Sequence, residues 1–155
     1  MREILFKGKR KDNGEWVEGY YYKMSETTYC FKEDYERKPV PEHHYILQER
    51  MTDWGLPNQM VQIEIDPETL CQFTGLCDKN GKKIWENDIF QYTDKTMVTQ
   101  KDLIEYNETH ASFVRLRNTE KLGLQYLWID EATCNHGEVI GNIFDNKELL
   151  QEEHK

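Results

Sequence analysis

The 155-residue chain is short of several things, and each shortage narrows what it can be. It has no apolar run near the ~20 residues needed to cross a bilayer as a helix. Its opening residues, Met-Arg-Glu-Ile-Leu-Phe-Lys-Gly-Lys-Arg, hold no apolar stretch and no small-residue cleavage site. No secretory signal is therefore expected, no membrane association, and the bacterial cytoplasm is the expected location. Cysteines number only 4, at Cys30, Cys71, Cys77 and Cys134. In that compartment free thiols are expected rather than disulfides. Basic residues are outnumbered: 20 Lys and Arg against 29 Asp and Glu leave a net charge of −9. Such a balance argues against broad binding of a phosphate backbone, which runs on clustered Lys and Arg. Phosphate-cradling loops are missing too. Gly75, Gly81 and Gly141 stand apart, with no Gly-x-Gly-x-x-Gly and no Gly-Lys-Ser/Thr.

Aromatic residues are not scarce. They make up 12% of the chain, as 4 Trp, 9 Tyr and 6 Phe, which excludes disorder throughout. The length fits a single domain over residues 1–155, large enough to bury a core without staples. Two turn signals stand out. Asp12-Asn13-Gly14 separates Ile4–Lys7 from Trp16-Val17-Glu18-Gly19-Tyr20-Tyr21-Tyr22, and Asp78-Lys79-Asn80-Gly81 leads into Ile84-Trp85. Asn-Gly supplies the positive φ angles of a tight hairpin. Val61, Ile63 and Ile65 alternate with polar residues, as in a half-buried strand. A bend is expected at Asn87-Asp88 before Ile89-Phe90-Gln91-Tyr92. Further strands are predicted at residues 27–31, 103–106, 112–116, 124–129 and 139–144. Asp145 and Glu148 have capping-box spacing, so a short C-terminal helix is predicted over residues 146–151. Eight to ten short strands between turns predict a mainly β, antiparallel sandwich or barrel.

Residues 32–58 differ in character. They carry Glu33, Asp34, Glu36, Glu42, Glu49 and Asp53 with Pro39, Pro41 and Pro57. Proline at that density breaks helices and central strands. An acidic excursion is expected there, with one short strand at Tyr45-Ile46-Leu47. The charge is uneven: −6 falls in residues 24–70 and −4 in residues 131–155, while residues 1–23 carry +2.

Three blocks, in order and bracketing nearly the whole chain, resemble the YopX-like family of phage and prophage proteins. The first is Arg2-Glu3-Ile4-Leu5-Phe6-Lys7-Gly8-Lys9-Arg10 with Gly14-Glu15-Trp16-Val17-Glu18-Gly19-Tyr20. The second is Gln72-Phe73-Thr74-Gly75-Leu76 with Asp78-Lys79-Asn80-Gly81 and Ile84-Trp85-Glu86-Asn87-Asp88-Ile89. The third is Glu138-Val139-Ile140-Gly141-Asn142-Ile143-Phe144-Asp145-Asn146 with Glu148-Leu149-Leu150. The resemblance implies a complex β-barrel-like fold and brings no catalytic residues or cofactor with it. Asn87 stands where the family usually has Gly. Asn tolerates a left-handed backbone, so the turn is expected to survive. Cys71 stands where a small residue is common, which makes its thiol a local feature.

Several residue sets invite chemistry, and each has a plainer reading beside it. Asp78, Glu86 and Asp88 suit oxygen coordination of a divalent ion in a metal-dependent hydrolase. The plainer reading is an Asx turn at Asp78 and solvent-facing carboxylates at Glu86 and Asp88. Cys71, Cys77, Cys134 and His136 are zinc-type donors, but their spacing is too wide for two tight pairs, and buried free cysteines fit equally. His43-His44 are placed to sense pH near neutrality, or simply to occupy a solvated loop. Lys7, Lys9, Arg10 and Lys11 lie near Trp16, Tyr20, Tyr21 and Tyr22, a mix that stacks and neutralises single-stranded nucleic acid in OB-like barrels.

The leading expectation is a non-enzymatic interaction module. It binds a protein partner, of host or phage, through Trp16, Tyr20, Trp85, Glu86, Asp88 and Asn142. No cofactor is expected. A nucleic-acid-associated barrel is the alternative, with the metal-dependent hydrolase behind it. Strand edges and aromatics are also compatible with a homo-oligomer.

Overall fold

The computed structural model describes residues 3–26, 31–33, 40–93, 97–119 and 122–150. These residues are mainly β, in two antiparallel sheets, and fall into two compact units. One spans residues 4–70 and the other residues 71–150.

The first unit holds four strands: β1 (Phe6–Lys9), β2 (Trp16–Ser25), β3 (Glu42–Arg50) and β4 (Gln59–Glu64). They pair antiparallel in the order β4-β3-β2-β1. The predicted first turn forms, with Gly14 at φ 74 and the Asn13 Oδ1 accepting from the Glu15 N–H at 3.0 Å. Lys9 faces Trp16 in the ladder, and Tyr20 faces Leu47. Gly19 permits this closeness. A Cβ there would stand 2.1 Å from the Leu47 carbonyl oxygen, so any side chain would push β2 off β3. Leu5, Ile46 and Ile65 are buried. Pro67–Thr69 forms a 3-10 turn capped by Asp66. Its Thr69 Oγ1 accepts from the Lys9 N–H at 2.8 Å and donates to the Asp66 carbonyl at 2.7 Å.

The acidic excursion proved more regular than its composition predicted. It contains β3, nine residues long and paired on both sides, rather than a three-residue strand. Pro41 and Pro57 lie outside the strand, so they bound it without removing a ladder hydrogen bond. Its acidic residues Glu42 and Glu49 lie near the exposed ends, and Ile46 anchors the middle. The predicted strand at residues 27–31 falls on residues 27–30, outside the described residues. Cys30, Asp34 and Glu36 lie outside them as well.

The second unit holds β5 (Cys71–Cys77), β6 (Lys83–Trp85), β7 (Asp88–Thr93), β8 (Thr99–Asn107), β9 (Ser112–Thr119), β10 (Gly123–Trp128) and β11 (Gly137–Asn142). β5 and β6 form a hairpin around Gly81, at φ 78. The remaining strands form an antiparallel sheet in the order β10-β9-β8-β7-β11. Asn87 sits at φ 66, the left-handed conformation its position was expected to require. Its N–H donates to the Ile104 carbonyl at 2.7 Å and its carbonyl accepts from Ile143 at 3.1 Å. Ile84, Phe90, Ile104, Cys134 and Val139 form the core. Full burial of each larger side chain contributes about 1.5–3 kcal/mol.

Two sequence expectations are corrected here. Neither sheet closes into a barrel: β10 and β11 are the two ends of the five-stranded sheet, and closure would need end strands to bond one another. The C-terminal helix is a four-residue 3-10 turn, Lys147–Leu150. Asp145 Oδ2 accepts from Asn142 Nδ2 at 3.0 Å. The α-helical turn lies earlier, at α1 (Glu131–Cys134), where the Asp130 carboxylate caps the Thr133 N–H at 2.8 Å.

Candidate functional site

β10 reads Gly-Leu-Gln-Tyr-Leu-Trp and carries no charge, in a chain that is 32% Asp, Glu, Lys and Arg. It bonds β9 on one side and ends the sheet on the other. Period 2 places Leu124, Tyr126 and Trp128 on one face, at 54%, 55% and 67% exposure. Their cross-strand partners on β9 are Asn118, Leu116 and Val114. The stripe is thus apolar, aromatic and open on an edge. Natural edge strands usually carry charge, proline or a bulge at such a place.

Behind the Trp128 end, a cleft of about 310 Å³ opens in the same unit. Gln72, Thr74, Tyr106, Ser112, Phe113 and Trp128 line it. The Tyr106 and Phe113 rings meet edge to face, 5.2 Å apart at 68°. Glu86 Oε2 accepts from the Gln72 N–H at 3.4 Å. Burial pushes the Glu86 carboxyl above its usual range, and Glu105 adds to this against the hydrogen bonds from the Gln72 and Tyr106 backbone.

On the face of β8 and β9 that carries Tyr106 and Phe113 lies an ionic cluster. Asp102 is fully buried. Its Oδ1 accepts from Arg117 Nε at 2.7 Å, and its Oδ2 accepts from Arg115 Nη1 and Arg117 Nη2, each at 2.9 Å. Arg117 Nη2 also donates to the Tyr92 hydroxyl at 2.7 Å, and the Arg115 guanidinium lies 4.7 Å from the Tyr92 ring centre. The Asp102 carboxylate holds the Arg117 guanidinium well above its ordinary value. A buried carboxylate with charge-assisted partners on every side is a rigid brace.

A family model described as YopX protein matches residues 5–151. The chain belongs to the YopX family. Among curated proteins none matches it. Among solved structures, the crystal structure of protein EF1440 from Enterococcus faecalis is similar at 19% identity, over 97% of this chain and 100% of that one, with a TM-score of 0.41.

In this YopX-family chain the residues expected from sequence fall in both units, and three of them meet in the second, where Asp88 faces Asn142 in the β7–β11 ladder and accepts from the Trp85 N–H. Trp16 and Tyr20 lie on β2 of the first unit; Trp85, Glu86, Asp88 and Asn142 lie in the second. Tyr20 is exposed, and Trp16 carries Lys7 and Lys9 over its ring at 4.9 and 5.4 Å. Trp85 is buried against Phe73, with ring centres 5.4 Å apart. Asp88 is buried and its Oδ2 accepts from the Trp85 N–H at 2.9 Å. Asn142 Oδ1 closes a turn, accepting from the Phe144 and Asp145 N–H groups at 3.0 Å.

The proposed ligand sets do not assemble. Among the described residues no group of three or more His, Cys, Asp or Glu is arranged to hold a metal ion. Asp78 is buried and accepts three backbone N–H groups, from Asn80, Lys82 and Val139, at 2.8–3.0 Å. Burial works against its charged form, yet those bonds outweigh it and hold the carboxyl below its ordinary range. Cys71 is buried beside Asn87 Nδ2 at 3.6 Å, Cys134 sits in the core, and Cys77 is exposed. Burial pushes the Cys134 thiol up to about 11, far from an activated nucleophile. His136 Nδ1 lies 2.7 Å from the Ala132 carbonyl oxygen.

The histidine pair is not a solvated loop. It lies on β3. His43 bridges Glu64 at 2.9 Å and Glu26 at 2.7 Å, and His44 Nδ1 meets the Tyr21 hydroxyl at 2.8 Å. Among the described residues no helix is long and apolar enough to cross a membrane.

Proposed function

We propose that this protein is a non-enzymatic interaction module of phage or prophage origin, working in the bacterial cytoplasm and binding a macromolecular partner along β10. The open stripe of Leu124, Tyr126 and Trp128 on an uncharged edge strand carries this reading. Exposed, contiguous apolar faces mark interaction sites, and aromatic residues dominate interface energetics. An edge strand also offers unpaired backbone groups to an added strand. Trp85 and Asp88 are buried, so they form no part of this exposed surface.

The test replaces Tyr126 with a photo-crosslinking phenylalanine in the intact chain and irradiates it in a bacterial host lysate. A discrete adduct is expected, lost when Leu124 and Trp128 are both changed to Ser. Absence of any adduct from the folded protein, or an adduct indifferent to those changes, overturns the reading.

The nucleic-acid alternative draws on the two lysines over Trp16. Arg10 and Lys11 stand beside them, paired with Asp12 and Glu64. Phosphate contacts give a steep salt dependence. Saturable binding of single strands at low salt, weakened by Lys7→Gln and Lys9→Gln, supports this alternative; no binding there disposes of it.

A further inference from the structure

The two ends of the five-stranded sheet are finished differently. β11 carries a bulge between Val139 and Gly141. The turn between β5 and β6 also covers its backbone. The Gly137 carbonyl accepts from the Lys79 N–H at 3.0 Å, and the Val139 N–H donates to Asp78 Oδ2 at 3.0 Å. Bulges and covering loops keep a sheet edge from pairing with another chain. Among the described residues β10 has neither: no strand lies on its outer side, and its ladder with β9 runs without a bulge from Gly123 to Trp128. Arg115 Nε holds the Trp128 carbonyl at 3.1 Å, which leaves the ladder bonds of a new strand to the residues before it.

Charge is the remaining way to block an edge, and β10 has none. That absence suits one occupant above others. In a two-fold pair the same patch meets itself, so a charged residue on the axis faces its own sign. Antiparallel pairing of β10 with itself, centred on Tyr126, sets Tyr126 opposite Tyr126 and Leu124 opposite Trp128. Opposite residues share a face, so the apolar stripe continues across the axis. A slip of one residue would put the two stripes on opposite faces, each beside Gln125 and Leu127 of the other copy.

The area sets the strength. The uncovered parts of Leu124, Tyr126 and Trp128 come to roughly 300–400 Å² per copy, taking about 150–250 Å² for a whole aromatic side chain. Two copies and their edge backbone approach the low end of specific interfaces, about 1,200 Å². A reversible dimer fits that size and an obligate one does not.

We propose that β10 pairs with β10 of a second copy of this chain, in a reversible two-fold dimer that extends the antiparallel sheet from five strands to ten. This pairing presupposes that β10 is the interaction strand, and it names the occupant.

Sedimentation velocity of the purified, intact chain reads the dimer directly. Half of the chains are expected in dimers at a concentration on the order of 10–100 µM. Each copy carries −9, so more salt should strengthen the dimer. Going from about 0.01 M to about 0.1 M shortens the screening length from about 30 to about 10 Å. Tyr126→Glu sets two carboxylates opposite each other and is expected to weaken the dimer at least about tenfold. In a Cys30→Ser, Cys77→Ser background, Tyr126→Cys is expected to give a disulfide-linked dimer on oxidation, because opposite residues stand about 4.5–5.5 Å apart at Cα. Gln125→Cys, two positions away from its counterpart, is expected to give none. A bridge at Gln125→Cys but not at Tyr126→Cys overturns the pairing, as does a dimer that weakens with salt. So does a chain that stays monomeric at about 1 mM. The β10 crosslink separates the two readings. An adduct of twice the chain's mass from pure protein supports the second copy. An adduct with another protein, from a chain that stays monomeric when pure, overturns the second copy and keeps β10 as the interaction strand. No adduct and no dimer overturn both.

Discussion

Replacing Asp102 with Asn removes one negative charge from the most connected buried site and leaves its shape intact. Asp102 has no exposure, and the side chains of Arg115 and Arg117 are 9% and 15% exposed. Three N–H donors converge on its two oxygens. Breaking a buried pair by removing one partner typically costs about 3–5 kcal/mol, because a charge is left without its counterion. The lower end applies, since Arg117 keeps Tyr92 and some contact with water. About 3 kcal/mol is a large share of the roughly 5–15 kcal/mol by which domains are stable. Urea unfolding in a Trp16→Phe, Trp54→Phe background reads the second unit alone, because Trp85 and Trp128 are then the remaining indoles. The midpoint is expected to fall with the slope unchanged. Adding Arg117→Met should cost less than the sum of the two single changes, because it removes one of the stranded cations. A loss below about 1 kcal/mol for Asp102→Asn, with an unchanged slope, refutes the idea that this cluster braces the sheet.

Other consequences follow from single residues. Glu64 and Glu26 both favour the imidazolium of His43 and raise its pKa in the folded chain. Its stabilisation is therefore full below the ordinary value near about 6.5 and is lost as pH rises through the folded-state value. Thermal melts of the first unit should show that fall, and His43→Gln should flatten it; a slope unaffected by His43→Gln refutes the assignment. Asn87→Val should destabilise the second unit by about 1–2 kcal/mol in urea, and Asn87→Gly should be neutral within about 1 kcal/mol, because only the former meets the left-handed backbone with a branched Cβ. In a Cys30→Ser background, a thiol reagent at mildly alkaline pH should modify Cys77 promptly and reach Cys71 and Cys134 only on unfolding; prompt labelling of Cys134 contradicts its burial.

Much of the β framework was legible because its signals are local. Asn13-Gly14 and Asn80-Gly81 mark turns through backbone conformations that few residues adopt, and both turns form. The period-2 alternation of Val61, Ile63 and Ile65 marks β4 in the same way. The excursion misled because proline density was read without its position, and Pro41 and Pro57 flank β3 instead of interrupting it. The capping-box spacing at Asp145 and Glu148 also misled, as spacing does not state which turn a four-residue segment adopts.

The sequence by itself determined the strand-rich character, the turns, the left-handed turn at Asn87 and the family. These depend on backbone preferences within a few residues of one another. Tertiary structure decided which carboxylates are buried acceptors and which aromatics face outward. Asp102 meets Arg115 and Arg117 because of the β8–β9 register, which a hydrophobic pattern does not encode for polar residues. Trp85 and Trp128 look alike as strand aromatics, yet one lies in the interior and the other on the last strand of a sheet. Strand order separates them, and strand order is set by contacts distant in sequence.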